Sequence, residues 1–236
     1  MALPVVKGSR YTTILPSTGA KIEYRPYNVG EEKLLMVALE SKDQNMIIRT
    51  LKDVMEGCIF DKVDFSRFTV FDFEKLFLAL RAKSVGEIVD LELKCQDTEC
   101  NSVTPVSVNL EEINLTDLPE SNTIIIDNDI GVTLRYPGIQ DVEKYDEEHL
   151  QKPEGAFDMV IDCIDTIFDE EGVYNCKDEP RESVEGFLNN LSSGQFKKIS
   201  SYFEKIPTLT HDIEYKCIKC GKENEIELKG LQSFFT

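Results

Sequence analysis

Four of the seven cysteines stand in two short pairs, Cys95-Gln-Asp-Thr-Glu-Cys100 and Cys217-Ile-Lys-Cys220, the second followed by Gly221. A C-x2-C segment with a following glycine reverses the chain tightly, so that two thiolates converge on one metal ion and glycine relieves the backbone at the reversal. C-x4-C is a looser version of the same device. Val89, Leu91 and Leu93 alternate ahead of Cys95, and Ile213 and Tyr215 ahead of Cys217; alternation resumes at Val106, Val108 and Leu110, and at Ile226 and Leu228. Each pair therefore caps a hairpin. Cys95, Cys100, Cys217 and Cys220 are expected to hold one structural Zn2+. Four thiolates leave no open coordination position, so the ion would staple the fold and activate no water. Two unrelated thiol pairs are the plain alternative. A redox C-x-x-C is the third, weakened because Cys217 opens no helix that would lower its pKa.

The 116 residues between the pairs are too many for one zinc ribbon, but an internal echo accounts for them. Arg10–Leu15, a Pro-Ser-Thr-Gly turn and Lys21–Pro26 read as a hairpin; Ile124–Ile126, Asp127-Asn128-Asp129 and Gly131–Pro137 read as another. Gly19-x-x-Ile22-x-Tyr24-Arg25-Pro26 resembles Gly131-x-x-Leu134-x-Tyr136-Pro137. Helices follow in each case. Ile47, Leu51, Val54, Met55 and Cys58 share one face, as do Phe73, Leu76, Phe77 and Leu80 behind a Thr69/Asp72 capping box. In the second half, Phe157, Val160, Ile161, Ile164 and Ile167 read as one helix; a short helix begins near Ser183; another starts at Ser192 with Gln195 completing its capping box. The expectation is an α+β fold of two similar halves, 10–112 with the C-x4-C knuckle and 121–236 with the C-x2-C knuckle, joined at a shared zinc site behind an N-terminal arm, 1–9. One irregular α+β domain is the alternative.

A net charge of −18 opposes binding to nucleic acid or anionic membrane surfaces, because both need clustered Lys and Arg. No apolar run reaches the length of a membrane helix, and the first residues lack a signal-peptide core, which leads to the expectation of a reducing cytoplasm. No two glycines are close enough for a dinucleotide or Walker phosphate loop, and His149 and His211 are too far apart for a zinc-protease helix. No nucleophile elbow occurs. No small-molecule substrate is expected. Lys94, Lys216, Lys219 and Lys222 surround the knuckles and balance the charge of a tetrathiolate site. Cys58 and Cys163 read as core thiols; Cys176 and His149 receive no role, and His211 is a reserve ligand. The acidic stretches Asp141–Glu154 and Asp169–Glu171 are expected to be solvated, or to meet a basic partner. Arg81, Lys83 and Glu87 end a helix, where they either complement its dipole or dock a partner.

Two stretches carry a family resemblance. One is Leu15-Pro16-Ser17-Thr18-Gly19-Ala20-Lys21-Ile22-Glu23-Tyr24-Arg25-Pro26, continuing through Glu31–Leu35 to Ala38–Ser41. The other is Phe73–Glu87, with Arg81-Ala82-Lys83-Ser84-Val85-Gly86-Glu87 at its end, followed by Cys95 and Cys100. They resemble the baseplate hub family of T-even-type contractile-tail bacteriophages, most densely over residues 10–100. The resemblance implies a non-enzymatic structural or interaction protein of the tail baseplate, assembled in the host cytoplasm and carried in the virion, with other baseplate proteins as partners. The alternatives are a hub-assembly chaperone absent from the mature particle and, less well supported, a zinc-ribbon regulator that binds nucleic acid.

Overall fold

The computed structural model describes residues 8–145, 147–150, 152–230 and 233; residues 1–7 of the expected N-terminal arm lie outside the described residues. In chain order the elements are β1 (Tyr11–Ile14), β2 (Lys21–Tyr24), α1 (Val29–Ser41), α2 (Gln44–Cys58), α3 (Val70–Ser84), β3 (Ile88–Lys94), β4 (Val103–Asn109) and β5 (Asn114–Leu115). They continue with β6 (Thr123–Asp127), β7 (Ile130–Leu134), α4 (Ile139–Glu143), α5 (Glu147–Leu150), α6 (Pro153–Cys163), β8 (Ile164–Phe168), β9 (Val173–Asn175), α7 (Arg181–Asn189) and α8 (Ser193–Phe203). β10 (Leu209–Lys216) and β11 (Glu223–Lys229) are the last two strands. Helices thus mix with antiparallel strands.

By packing, residues 1–116 and 208–236 form one unit and 117–207 a second. These limits differ from the sequence halves 10–112 and 121–236. The last hairpin, which closes the second half of the repeat, belongs to the first unit, and both cysteine knuckles lie there.

In the first unit the β1–β2 hairpin turns through Gly19, whose φ of +69° suits a residue without Cβ. α3 begins at the Thr69/Asp72 capping box and buries Phe71, Phe73, Leu76, Leu78 and Leu80, so it is apolar nearly all round and serves as the unit's central helix. Asp72 is 1% exposed, and its carboxylate accepts from the Ser17 and Thr69 N–H groups and from both hydroxyls. Leu78 and Ala82 pack with Leu91, Val108, Leu110, Ile213 and Leu228 of the hairpins β3–β4 and β10–β11. The end of α3 is occupied internally: Lys83 pairs with Glu87 and Glu111, and Arg81 reaches the Gly86 carbonyl.

The second unit is a four-stranded antiparallel sheet, β6-β7-β8-β9, whose core joins Ile126, Val132 and Leu134 to Val160 and Ile161 of α6, Val184 and Leu188 of α7, and Ile199 and Tyr202 of α8. α8 starts at the Ser192/Gln195 capping box. Here the helix expected to run through Ile164 and Ile167 is corrected: α6 ends at Cys163, and Ile164–Phe168 pairs with β7 as β8. Its β-branched run fits a pleated surface, and the apolar spacing satisfies both periodicities over so few residues. The stretch 141–154 holds the end of α4, all of α5 and the start of α6, with residues 146 and 151 outside the described residues.

The two units share an arrangement that the sequence echo located two residues out of register. Arg25 follows β2 and donates its N–H to the Cys58 carbonyl at 2.9 Å; Arg135 follows β7 and donates to the Cys163 carbonyl at 2.8 Å. Cys58 ends α2 and Cys163 ends α6, both buried. The next residue bridges back to the hairpin in each: Ile59 to Tyr24, Ile164 to Leu134. Arg25 therefore corresponds to Arg135, and Tyr24 to Leu134 rather than to Tyr136. The two glycines that suggested the other register have unrelated jobs. Gly19 supplies a positive φ, whereas Gly131 lies in β7 under the Phe168 ring, where a Cβ would come within 2.3 Å of that ring.

Candidate metal centre

The knuckles are the tips of β3–β4 and β10–β11, each hairpin held by a seven-residue antiparallel register. At the first tip the Cys95 N–H donates to the Ser102 carbonyl at 2.8 Å, the Cys100 N–H to Asp97 at 3.1 Å, and Asn101 takes a φ of +45°. At the second, the Cys217 N–H donates to Lys222 at 2.8 Å, the Gly221 N–H to Cys217 at 3.0 Å, and Gly221 has a φ of +74°. The asparagine and the glycine are residues that tolerate this left-handed backbone, and each ends its loop after the second cysteine.

All four expected ligands come together. The Sγ atoms of Cys95 and Cys220 are 3.7 Å apart and those of Cys100 and Cys217 3.8 Å, and the four lie within 4.8 Å of one another. None is in a disulfide. A tetrahedron with Zn–S arms of about 2.3 Å has edges of about 3.8 Å. The donor set, its number and its spacing therefore fit zinc. Cys95 and Cys217 are buried, Cys100 is half-buried, and Cys220 is exposed at the rim.

Electrostatics also favours a cation here. The N–H groups of Cys220 and Lys219 point at Cys217 and bring its thiol down to about 6. The Ser102 N–H draws Cys100 downward, yet burial and the neighbouring thiols outweigh it and leave that group at about 11. Cys95 is likewise drawn down by the Asp97 N–H and moved up overall by burial and its sulfur neighbours. One thiolate forms readily and opposes the next; a bound dication removes that opposition.

Side chains that sequence spacing did not flag tie the two hairpins together behind the sulfurs. Buried Asn224 accepts from the Gln96 N–H at 2.8 Å and donates to the Lys222 carbonyl at 2.9 Å. Gln96 Nε2 donates to Glu225 O, Tyr215 Oη to Lys94 O, and the Ile218 N–H to Thr104 Oγ1. The signal available in the sequence was the polar residue at an inward-facing strand position: Asn224 shares the face of Ile226's neighbour Leu228, and Thr104 that of Val108. Lys94, Lys216, Lys219 and Lys222 are all exposed around the cluster.

The remaining candidates lie elsewhere. His211 is in β10 opposite Leu228, outside the cluster. His149 is in α5, with Nε2 3.0 Å from Asp158. Cys58 and Cys163 are core thiols that burial raises to about 12. Cys176 packs against the second unit's core, where burial raises it to about 11. Among the described residues no helix is long and apolar enough to cross a membrane.

Such a molecule is a mixed α+β protein in which four cysteines from the tips of two hairpins lie close enough together to hold a metal ion. Its sequence matches the family of T4 bacteriophage base plate proteins over residues 9–236, and the chain belongs to that family. It is similar to the baseplate hub assembly protein gp26 of Enterobacteria phage T4, with 26% identity over 219 residues, covering 92% of this chain and 94% of the relative. No solved structure matches. The homology supports a structural or assembly role in the phage baseplate.

Proposed function

We propose that this chain is an assembly factor for the baseplate hub that works by binding other baseplate proteins, and that a structural zinc held by Cys95, Cys100, Cys217 and Cys220 fixes the shape of its first unit. The similarity to a hub assembly protein along nearly the whole of both chains carries the reading. The four-sulfur cluster supports the metal. Zinc would contribute a cross-link between β3–β4 and β10–β11, hairpins far apart in sequence, and so tie the chain's last described strands to its first unit. Apparent binding free energies of structural zinc run to about 10–16 kcal/mol, comparable to the stability of a whole domain. The role is non-enzymatic: partners are proteins, and recognition is by surface.

The acidic surface suits basic partner faces, although Asp141 takes no part, since it is 4% exposed and consumed by Arg135. Asp169 is held in the β8–β9 turn by the Glu171 and Gly172 N–H groups, which leaves the exposed Glu170 and Glu171 for such a contact. The test is quantitative mass spectrometry of infected cells and purified virions, together with a deletion phage. Presence in hub intermediates, absence from mature particles and failure of hub assembly in the deletion are expected. Stoichiometric retention in virions would make the chain a component instead, and normal hubs without it would overturn both roles.

A further inference from the structure

The two edges of the second unit's sheet, β6-β7-β8-β9, differ. At β6 the Lys198 ammonium donates to the carbonyls of Ile126 and Ile125, at 2.8 and 3.4 Å, and α8 packs along the strand. That edge is closed to further pairing, a common protection of exposed strands. Among the described residues β9 has no such cover. Its three residues include no lysine, no proline and no bulge; Val173 is 72% exposed, and Tyr174 and Asn175 are exposed too.

The ladder fixes what this edge offers. β8 and β9 are joined by backbone bonds at Asp169/Gly172 and Asp165/Cys176, both 3.0 Å, with Tyr174 opposite Ile167 between them. Antiparallel alternation then turns the backbone of Val173 and Asn175 outward. The Asn175 carbonyl already accepts the Asp178 N–H, so the edge presents the Val173 N–H and C=O and the Asn175 N–H. Such a row bonds an extended chain and not a helix, whose own backbone groups are used internally. Val173 ends the row Ile125, Gly131, Phe168, Val173 on the face turned away from the core, and Asn175 ends the row Thr123, Thr133, Thr166, Asn175. A residue laid beside Val173 therefore continues an apolar row, and one beside Asn175 a polar row.

Charge selects the segment. Asp169, Glu170 and Glu171 precede the strand and Asp178 and Glu179 follow it, while Lys177 is paired with Asp165 at 3.3 Å. Their field reaches β9: the Tyr174 phenol is raised above its ordinary value, first by the charge of Asp169, then by burial, by Glu171, by a hydrogen bond to Asp169 and by Glu179. A second copy of β9 would set acid against acid at both ends in either direction of pairing. A basic chain meets attraction at both.

We propose that β9 is the docking edge for an extended, basic segment of a partner protein, which joins the sheet as a fifth strand with an apolar β-former beside Val173 and lysine or arginine at both ends. This rests on the reading of the chain as a protein-binding factor and names the form of the bound segment.

The experiment is titration of the full, isotope-labelled chain, followed by amide NMR, with a capped synthetic peptide that has a valine and threonine core and a pair of lysines at each end. At about 0.05 M salt the Val173 and Asn175 amides should shift and gain protection from exchange, with a dissociation constant on the order of 0.1 mM. The same core flanked by glutamates should not bind. Glu170→Lys combined with Glu171→Lys, both exposed in the turn, should weaken binding of the lysine peptide about tenfold. Val173→Pro, which removes an outward N–H at an edge position that tolerates proline, should weaken it by a similar factor. If the proline variant fails to fold, the turn variant carries the test. Unmoved Val173 and Asn175 amides at millimolar peptide overturn the proposal, as does equal binding of the glutamate peptide or indifference to the turn variant. Shifts that grow with protein concentration alone would make a second copy the occupant and overturn it likewise. Because the readout is the edge itself, a failed titration leaves the hub-assembly reading standing, whereas normal hubs in the deletion phage would remove that reading while the peptide still bound.

Discussion

Arg135 holds Asp141 by two parallel hydrogen bonds, Nη1 to Oδ2 at 2.6 Å and Nη2 to Oδ1 at 2.8 Å, and the same guanidinium reaches the carbonyl of Asp162 at the end of α6. The first unit repeats the relation six residues apart in sequence: Arg25 holds Glu31 at 2.9 and 2.7 Å and reaches the Gly57 carbonyl near the end of α2. Both carboxylates stand at the third position of a helix whose N-cap backbone N–H they accept. One arginine thus fixes three things at once: the exit of the hairpin, the start of one helix and the end of another.

Replacing Arg135 should therefore be costly. Asp141 has a side chain only 6% exposed, and Arg135→Met would leave it with the Gly138 N–H and a more distant lysine at 3.5 Å. Breaking a buried pair from one side costs about 3–5 kcal/mol. Arg25→Met should cost less, since Glu31 is 18% exposed and better hydrated. Urea unfolding of the two variants gives the order, and an Arg135→Met midpoint equal to that of the parent chain would refute the clamp's importance.

Acid should weaken the second unit through the same group of residues. Burial pushes Asp141 and Asp162 up, but Arg135 and the Gly138 N–H on the first, and Lys144 and Arg181 on the second, outweigh it and hold both below the ordinary carboxylate range. Folded-state values below the unfolded ones mean that the unfolded chain binds protons first as pH falls. The stabilisation is full above the unfolded aspartate value of about 4 and is lost as pH drops toward the folded values. Urea midpoints measured from neutral pH downward should fall below about pH 4, and Asp162→Asn should flatten that acid limb.

Asp72 offers a different kind of test, because its partners are neutral. Its buried carboxylate takes the Thr69 hydroxyl at 2.7 Å and N–H at 3.2 Å, and the Ser17 N–H at 2.9 Å, linking the β1–β2 turn to the start of α3. Asp72→Ala removes the acceptor and leaves several donors behind. The expected loss is about 3 kcal/mol. Ser17→Ala, which keeps the N–H contact, should cost no more than about 1 kcal/mol. Equal losses for the two would argue against the network.

Local chemistry made parts of this readable before any fold was known. The capping pairs Thr69/Asp72 and Ser192/Gln195 act over three residues, and the cysteine pairs over three to five, so their spacing carries the geometry with it. Arg25 and Arg135 were hidden because the stronger written match, tyrosine followed by proline or arginine, pointed two residues away. Ile164 and Ile167 fitted a helix until pairing with Val132 and Leu134 decided otherwise. Asn224 and Thr104 gave only a faint local signal, a polar residue at an inward-facing strand position, and nothing that named their partners. Their partners, Gln96 and Ile218, are more than a hundred residues distant, and only the return of the last hairpin to the first unit brings them together.

That distance also defines the last test, which separates ligands from their supports. Cys217→Ser would leave three thiolates, and zinc content, expected at about one per chain, should collapse, with chelator and mutation lowering the unfolding temperature alike. Asn224→Ala keeps all four sulfurs. It removes the acceptor of the Gln96 N–H and a group whose Oδ1 lies 3.7 Å from Cys95 Sγ. Supports of this kind typically change metal affinity 10- to 100-fold, so the variant should still bind one zinc at saturation but release it to a weaker competing chelator. Competition titration of the parent and both variants, with zinc read by a chromophoric chelator, distinguishes the cases. Full zinc retention by Cys217→Ser would dismiss the four-sulfur centre. Unchanged affinity in Asn224→Ala would mean that the hairpin registers alone hold the knuckles in place.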